Sequence, residues 1–138
     1  MELPPPSAFA PPPLYAINRT RQVFLATDVR KANNFFTRLC GLLATPAREF
    51  GFGRGLWIQP SKGVHMLGMR YAIDAVYVDK DNRIVHMQER LQPWRLGAVR
   101  KDAAGVLELP AGAVERTQTR IGDEIAFCRA AGWAPGVA

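Results

Sequence analysis

The sequence has no long apolar run. No stretch approaches the roughly 20 consecutive apolar residues that a transmembrane helix requires, although 48% of the 138 residues are hydrophobic. At the N-terminus, Glu2 stands where a secretory signal carries basic residues, and prolines interrupt the apolar residues that follow. From these absences we expect a cytoplasmic protein that has no membrane partner.

Cysteine and histidine are scarce. Cys40 and Cys128 are far apart and form neither a CxxC pair nor a spacing typical of metal sites, and the only histidines are His65 and His86. A metal site needs at least three converging ligands, which these residues do not provide. We therefore expect free thiols, no metal, no cofactor and no assignable catalytic residue. Whether the protein is an enzyme stays open.

The basic residues exceed the acidic ones but are not concentrated. Eighteen Lys and Arg against twelve Asp and Glu give a formal charge of +6. The longest basic runs are the pairs Arg30-Lys31 and Arg100-Lys101, whereas a nucleic-acid surface usually clusters its cations. This spread favours an ordinary solvated surface and leaves a nucleic-acid-associated domain as an alternative.

Length and proline content indicate one domain between two tails. The chain has the size of a single domain. Residues 1–20 contain the proline triplets at 4–6 and 11–13, and proline cannot donate to a β-ladder or a helix. We expect a flexible tail over 1–20, a single domain over 21–130 and a C-terminal tail over 131–138.

Apolar spacing predicts one main helix and one short helix. Asp28 suits a helix N-cap, and Pro46 marks the end of the helix. The short helix is predicted over 113–120, with Gly122 just beyond its end. Between Asp28 and Pro46 a helical stripe has spacings of three and four, at Phe35, Phe36, Leu39, Leu42 and Leu43.

Alternating apolar residues and turn signals predict several short strands. The tetrapeptide Asp79-Lys80-Asp81-Asn82 predicts a tight turn between two of them, and 92–102 is predicted as a loop. The pattern favours an α+β fold with a mainly antiparallel sheet, for which a partial barrel is one arrangement. The predicted strands are 23–26, 56–58, 64–70, 73–79, 83–91, 106–109 and 124–129.

A segment in the middle of the chain resembles the central motif of the domain-of-unknown-function-192 family. That motif reads His-x-x-x-Met-Arg-x-x-Ile-Asp, and residues 65–74 match it except that Ala72 stands where the family commonly has proline. Further resemblances follow the family's order: Arg-x-x-Gly-Leu-Leu at 38–43, Pro-Trp-Arg at 93–95, Leu-Glu-Leu-Pro-Ala-Gly at 107–112 and Gly-Asp at 122–123. The resemblance covers 22–129. It implies a compact α+β domain, largely sheet, and no established activity, cofactor or substrate.

Polar and aromatic residues of these motifs form a candidate binding site. Asp74 begins an apolar strand, and a buried carboxylate needs a cation or amide donors. One interpretation is structural: Asp74 pairs with Arg70 or Arg95, or accepts backbone hydrogen bonds that fix the turn. The other is a shallow polar pocket for a small anionic ligand. The candidate binding residues are His65, Met69, Arg70, Asp74, Trp94 and Arg95.

Taken together, these features predict a non-catalytic binding or accessory module. Its partner is expected to be a small anionic ligand or another protein. A nucleic-acid-associated domain and an enzyme of unknown reaction are the alternatives.

Overall fold

The computed structural model describes residues 13–32 and 50–129. Within these residues the chain forms nine strands and one short helix, so the fold is mainly β. No helix in this described part is long and apolar enough to cross a membrane. The elements are β1 (Leu14–Asn18), β2 (Val23–Ala32), β3 (Gly53–Ile58), β4 (Gly63–His65), β5 (Ile73–Val78), β6 (Ile84–Leu91), β7 (Leu96–Val99), β8 (Gly105–Pro110), α1 (Ala113–Thr117) and β9 (Ile125–Arg129).

Seven strands form one curled sheet in the order β6-β5-β8-β3-β2-β1-β9, and β4 pairs with β7 in a separate ribbon. Within the large sheet only β2 and β3 run parallel. The two sheet edges meet at one end, where Arg83 bridges Glu124 and the Ile84 amide donates to the Asp123 carbonyl at 2.9 Å. The sheet is therefore a half-barrel, which agrees with the partial barrel that the sequence suggested as one arrangement.

Apolar residues pack on both faces of the sheet. Every residue of β5 and of β8 is buried, which explains why their sequences are almost continuously apolar. The inner cluster includes Leu25, Trp57, Val76, Leu107 and Ile125. The outer cluster, which lies under the β4–β7 ribbon, includes Ile58, Met66, Met69, Ile73, Tyr77 and Val106.

The prediction of a flexible N-terminal tail over 1–20 is wrong for the residues that form β1. Strand β1 starts directly after Pro13, pairs with β2 and β9, and buries Leu14, Ala16 and Asn18. Proline blocks a ladder only where it occurs, and the five residues of β1 contain none. Residues 1–12 and 131–138, which hold the rest of the two predicted tails, lie outside the described residues.

The prediction of an α+β fold needs correction as well. Strand β2 continues to Ala32, so Asp28 is not a helix N-cap, and its carboxylate pairs with Arg54 at 2.9 Å. Pairing with both β1 and β3 outweighs the local capping signal. The apolar stripe at 35–43 lies outside the described residues. The short helix is confirmed as α1, but it ends where Gln118 adopts φ +55°, before the predicted Gly122.

The close packing of β8 on β3 generates a stability prediction. A Cβ at Gly105 would overlap the Trp57 indole, whereas a Cβ at Gly51 would meet no atom within 4 Å. We expect Gly105→Ala to destabilise the protein by about 1–3 kcal/mol, as overpacking does. Gly51→Ala, the matched control, should leave the urea midpoint nearly unchanged. Equal midpoints for both variants would contradict this packing.

Candidate binding surface and the buried carboxylates

The Asp74 carboxylate is fully buried and is bound by backbone amides. Oδ1 accepts a hydrogen bond from the Arg90 amide at 2.9 Å. Oδ2 accepts from the Gly112 amide at 3.1 Å and from the Val114 amide at 2.9 Å. Of the two structural alternatives, backbone hydrogen bonds and not an ion pair with Arg70 or Arg95 therefore hold this side chain.

A bulge in β6 delivers the first of these amides. Strand β5 pairs Ile73 with Leu91 but Ala75 with Gln88, so β6 contains one extra residue between these pairs. Arg90 lies in this bulge with φ +51°, and its amide bonds Asp74 instead of the ladder. The side chain of Arg90 extends to solvent and pairs with Glu115 at 2.6 Å.

The start of α1 delivers the other two amides. Gly112 has φ +96°, a conformation that other residues rarely adopt, and it places its own amide and that of Val114 on Asp74. The first amides of a helix lack partners within the helix and favour an anion. The segments at 65–74 and 107–112 thus meet at one buried carboxylate.

A second carboxylate, Asp123, joins β1 to the turn before β9. Its Oδ2 accepts hydrogen bonds from Asn18 Nδ2 (2.9 Å), Arg21 Nε (2.8 Å) and the Arg120 amide (2.9 Å). Burial acts to raise the pKa of Asp123, but the bonds from Asn18, Arg120 and Arg21 outweigh it and hold the pKa below its usual value. Asp123 therefore stabilises the fold in its charged form.

The β4–β7 ribbon contains a bulge that turns two apolar side chains outward. Gly63 pairs with Val99 and His65 with Leu96, so three steps along β7 match two along β4. The extra residue leaves Leu96 and Val99 73% and 77% exposed.

The two residues between them face the large sheet. A Cβ on Gly97 would lie 2.9 Å from both Gln88 Oε1 and Tyr77 Oη, and Ala98 packs on the outer cluster. The Ala98 amide donates to Gln88 Oε1 at 2.7 Å, and Tyr77 Oη donates to the Ala98 carbonyl at 2.8 Å. Burial, assisted by the charge of Glu108, raises the pKa of Tyr77 to about 12, so its hydroxyl remains a donor at neutral pH.

A tight turn at the end of the ribbon presents Trp94. The Met66 amide donates to the Arg95 carbonyl at 2.8 Å, and the Trp94 amide donates to the Met66 carbonyl at 2.7 Å. Trp94 has φ +65°, which is uncommon outside glycine, and its side chain is 68% exposed. The neighbouring Leu67 is 44% exposed.

Exposed cations accompany these apolar side chains. Arg70 and Arg95 make no ion pair with another described residue, and Lys62 donates to the Lys101 carbonyl at 2.7 Å. We define the ribbon surface as Leu67, Trp94, Leu96 and Val99 together with Lys62, Arg70, Arg95 and Lys101. The apolar members are largely exposed: Leu96 and Val99 lie in β7, Trp94 lies two residues before it and Leu67 two residues after β4.

The structure divides the six residues proposed from sequence. His65, Trp94 and Arg95 come together on the ribbon, and Arg70 is exposed. Met69 belongs to the outer cluster and Asp74 is enclosed, so neither reaches the ribbon surface. The sequence prediction did not name Leu96 and Val99, because 92–102 was expected to be a loop and not to contain β7. It did not name Leu67, because 64–70 was expected to be a strand, whereas β4 ends at His65.

Comparisons of the sequence find uncharacterised relatives. Residues 16–127 match the family model of DUF192, described as Uncharacterized ACR. The chain is 31% identical to a UPF0127 protein of Thermococcus sibiricus, over 79% of this chain and 71% of the relative. It is 30% identical to a UPF0127 protein of Pyrococcus furiosus, over 82% of this chain and 97% of the relative.

Two solved structures share the fold. A protein of unknown function from Novosphingobium aromaticivorans matches with a TM-score of 0.67 and 18% identity, over 91% of each chain. A protein of Sinorhizobium meliloti described as a "putative transcription regulator" matches with a TM-score of 0.68 and 22% identity, over 88% of this chain and 97% of that chain. At these identities the likeness concerns the fold alone.

The Asp74 geometry generates a prediction for Asp74→Asn. An asparagine retains one acceptor oxygen and turns an NH₂ group toward an amide donor, so at least one buried hydrogen bond is lost. We expect a loss of roughly 1.5–3 kcal/mol, the scale of hydrogen bonds to charged groups. Asp81→Asn, in the exposed turn, is the control and should change stability by less than about 0.5 kcal/mol. A urea midpoint of Asp74→Asn equal to that of the control would contradict the assignment.

Asp123 generates a prediction about acid stability. Because the pKa of Asp123 is lowered in the folded state, its contribution to stability is present above the unfolded pKa of about 4 and is lost as the pH falls through the folded pKa. At pH values below about 4, we expect the unfolding free energy of the wild type to decrease. Asp123→Asn should be less stable at neutral pH and should lose less on acidification. Parallel pH profiles for the two proteins would refute this role.

Proposed function

The chain belongs to the uncharacterised DUF192 family, also named UPF0127, and we propose that this member is a non-catalytic binding module whose ribbon surface holds an anionic partner. The observation that carries the proposal is the ribbon surface itself. Four apolar side chains lie exposed in or just beyond a ribbon that is firmly bonded to the sheet, and four exposed cations lie in the same segments, 62–70 and 94–101.

The apolar half of the surface supports a binding role. Trp94 and Leu96 remain largely exposed although neighbouring residues, such as Met66, are completely buried. Exposed tryptophan and arginine are enriched where proteins bind their partners. The positive φ of Trp94 points the same way, since backbone strain at an exposed aromatic residue has no evident packing benefit.

The charged half supports an anionic partner. Arg70 and Arg95 are exposed without a carboxylate partner among the described residues. Arg30, Arg116 and Arg120 share this property elsewhere, whereas six other arginines form ion pairs. Cations that the fold does not neutralise attract anions from solution and raise their local concentration. The net charge of +6 acts in the same direction.

The carboxylates support binding over catalysis. Asp74 and Asp123 each accept three hydrogen bonds from within the fold. A general base must present its oxygen to the proton that it removes. These two groups instead stabilise the fold, so neither presents an oxygen to a substrate, whereas Trp94, Arg70 and Arg95 are exposed for recognition.

A nucleic-acid ligand is the second candidate. Trp94 could stack on a base while Arg70 and Arg95 contact phosphates, which is how many proteins bind single strands. The description of the Sinorhizobium meliloti protein as a "putative transcription regulator" suggests the same class. The spread of the basic residues over the sequence weighs against it.

The proposal predicts that anion binding depends on the ribbon arginines. We would measure affinity for heparin, a general polyanion, for the wild type and for the double variant Arg70→Gln/Arg95→Gln. The matched control is Arg19→Gln/Arg83→Gln, which removes the same charge from exposed arginines paired with Glu124. We expect the ribbon variant to lose about 2- to 30-fold relative to the control, since each exposed charge contact contributes roughly 0.2–1 kcal/mol.

Equal affinities of the two double variants would overturn the proposal, because the effect would then follow net charge and not the ribbon. A labelled single-stranded oligonucleotide tests the second candidate in the same variants. Tighter binding of the oligonucleotide than of heparin, with a steep salt dependence, would favour nucleic acid.

A further inference from the structure

Building on the proposed function, we infer that the anionic partner of the ribbon surface is the surface of a lipid bilayer that contains anionic headgroups. The apolar side chains enter the interfacial region, and the flanking cations contact the headgroups. The partner of the ribbon surface is then a lipid surface, and the contact is peripheral, without a membrane span.

The bulge in β7 points apolar side chains away from the sheet. It turns Gly97 and Ala98 toward the sheet and leaves Leu96 and Val99 pointing away from it. Trp94 lies beyond the same strand, at the end of the ribbon. The apolar groups therefore project outward from the body of the protein, as side chains that enter a bilayer must.

The small number of residues in the ribbon surface suits a lipid partner. A stable protein–protein interface uses about 20–30 residues on each side and requires matching shape. The ribbon surface has four apolar side chains and four cations. A fluid lipid interface needs no matching shape, and a few apolar groups together with basic residues suffice for reversible binding. A few apolar side chains and cations of this kind are therefore sufficient for reversible contact with lipid.

The residue types of the ribbon surface are those that contact membrane interfaces. Tryptophan is enriched at the level of the headgroups because its ring is apolar and its N–H is polar. Lysine and arginine near a membrane surface are attracted to anionic lipids. The ribbon surface combines Trp94 with Lys62, Arg70, Arg95 and Lys101. The neighbouring carboxylate of Asp102 pairs with Arg100 at 2.8 Å. This inference departs from the expectation that the protein has no membrane partner. That expectation rested in part on the absence of a spanning segment, which such a contact does not need.

Intrinsic fluorescence can test this inference on the full chain. Trp57 is only 6% exposed, and Trp133→Phe removes the remaining tryptophan, so Trp94 reports the environment of the ribbon. With vesicles of phosphatidylcholine containing one-third phosphatidylglycerol, we expect a blue shift of the emission and quenching by brominated lipid. Vesicles of phosphatidylcholine alone should give neither, and about 1 M NaCl, where the Debye length is about 3 Å, should weaken the effect.

A pair of variants locates the contact. Leu96→Ser/Val99→Ser should reduce co-sedimentation with the anionic vesicles by about tenfold, because interfacial binding scales with buried apolar area. The control, Phe24→Ser/Ile121→Ser, removes exposed apolar side chains elsewhere and should bind like the wild type. Circular dichroism and urea unfolding of all variants show that each is folded before binding is compared.

The outcomes separate this inference from the proposed function. If heparin binding depends on Arg70 and Arg95 but the vesicles leave Trp94 unchanged, the lipid assignment is overturned and the binding module stands. If neither heparin nor vesicles depend on the ribbon, both fail. Equal loss in the two serine double variants, or equal binding to vesicles without phosphatidylglycerol, also overturns the lipid assignment.

Discussion

The buried carboxylate of Asp74 is the constraint on which the arrangement of the sheet depends. A charge without access to water is tolerated only where donors surround it. Here β5 supplies the anion, the β6 bulge supplies one amide and the start of α1 supplies two. Satisfying Asp74 therefore fixes the register of β6 against β5 and the point at which α1 leaves β8.

The same arrangement sets the position of the ribbon. Strands β5 and β6 provide Tyr77 and Gln88, which bond both backbone groups of Ala98 on the facing strand β7. A displaced register of β6 would move Gln88 to another level and release this contact. The position of the exposed residues of β7 thus depends, through β6, on the one charged residue of β5, Asp74, although the two have different roles. Asp74 is structural, whereas Trp94 and its neighbours are available for binding.

The sequence predicted those parts of the molecule in which local pattern and tertiary structure agree. The turn at 79–82, the strands on either side of it and the short helix are found as expected, and Asp79 Oδ1 accepts the Asp81 and Arg83 amides in that turn. Strand β1 was missed and strand β2 was predicted too short, because pairing with neighbouring strands determines where both of them form. Asp28 carries a strong local signal for a helix start, and no local pattern reveals that residues 28–32 pair with β3.

The sequence motifs named some residues of the ribbon surface and not others. Resemblance to known motifs drew attention to His65, Trp94 and Arg95, which do lie together. Leu96 and Val99 could not be found in this way, because apolar residues are normally expected inside and only the bulge turns these two outward. Gly97 was the available signal, since an isolated glycine in an apolar run often marks a bulge or a close backbone approach.

Hydrogen exchange of the full chain, with and without a saturating polyanion such as heparin, tests the division between structural and binding groups most directly. We expect slow exchange of the Arg90, Gly112 and Val114 amides in both samples, because Asp74 holds them in the interior. We expect added protection to be confined to the ribbon, at 63–67 and 94–101. Fast exchange of the three amides, or added protection around 89–90 and 112–120 with none on the ribbon, would contradict this division.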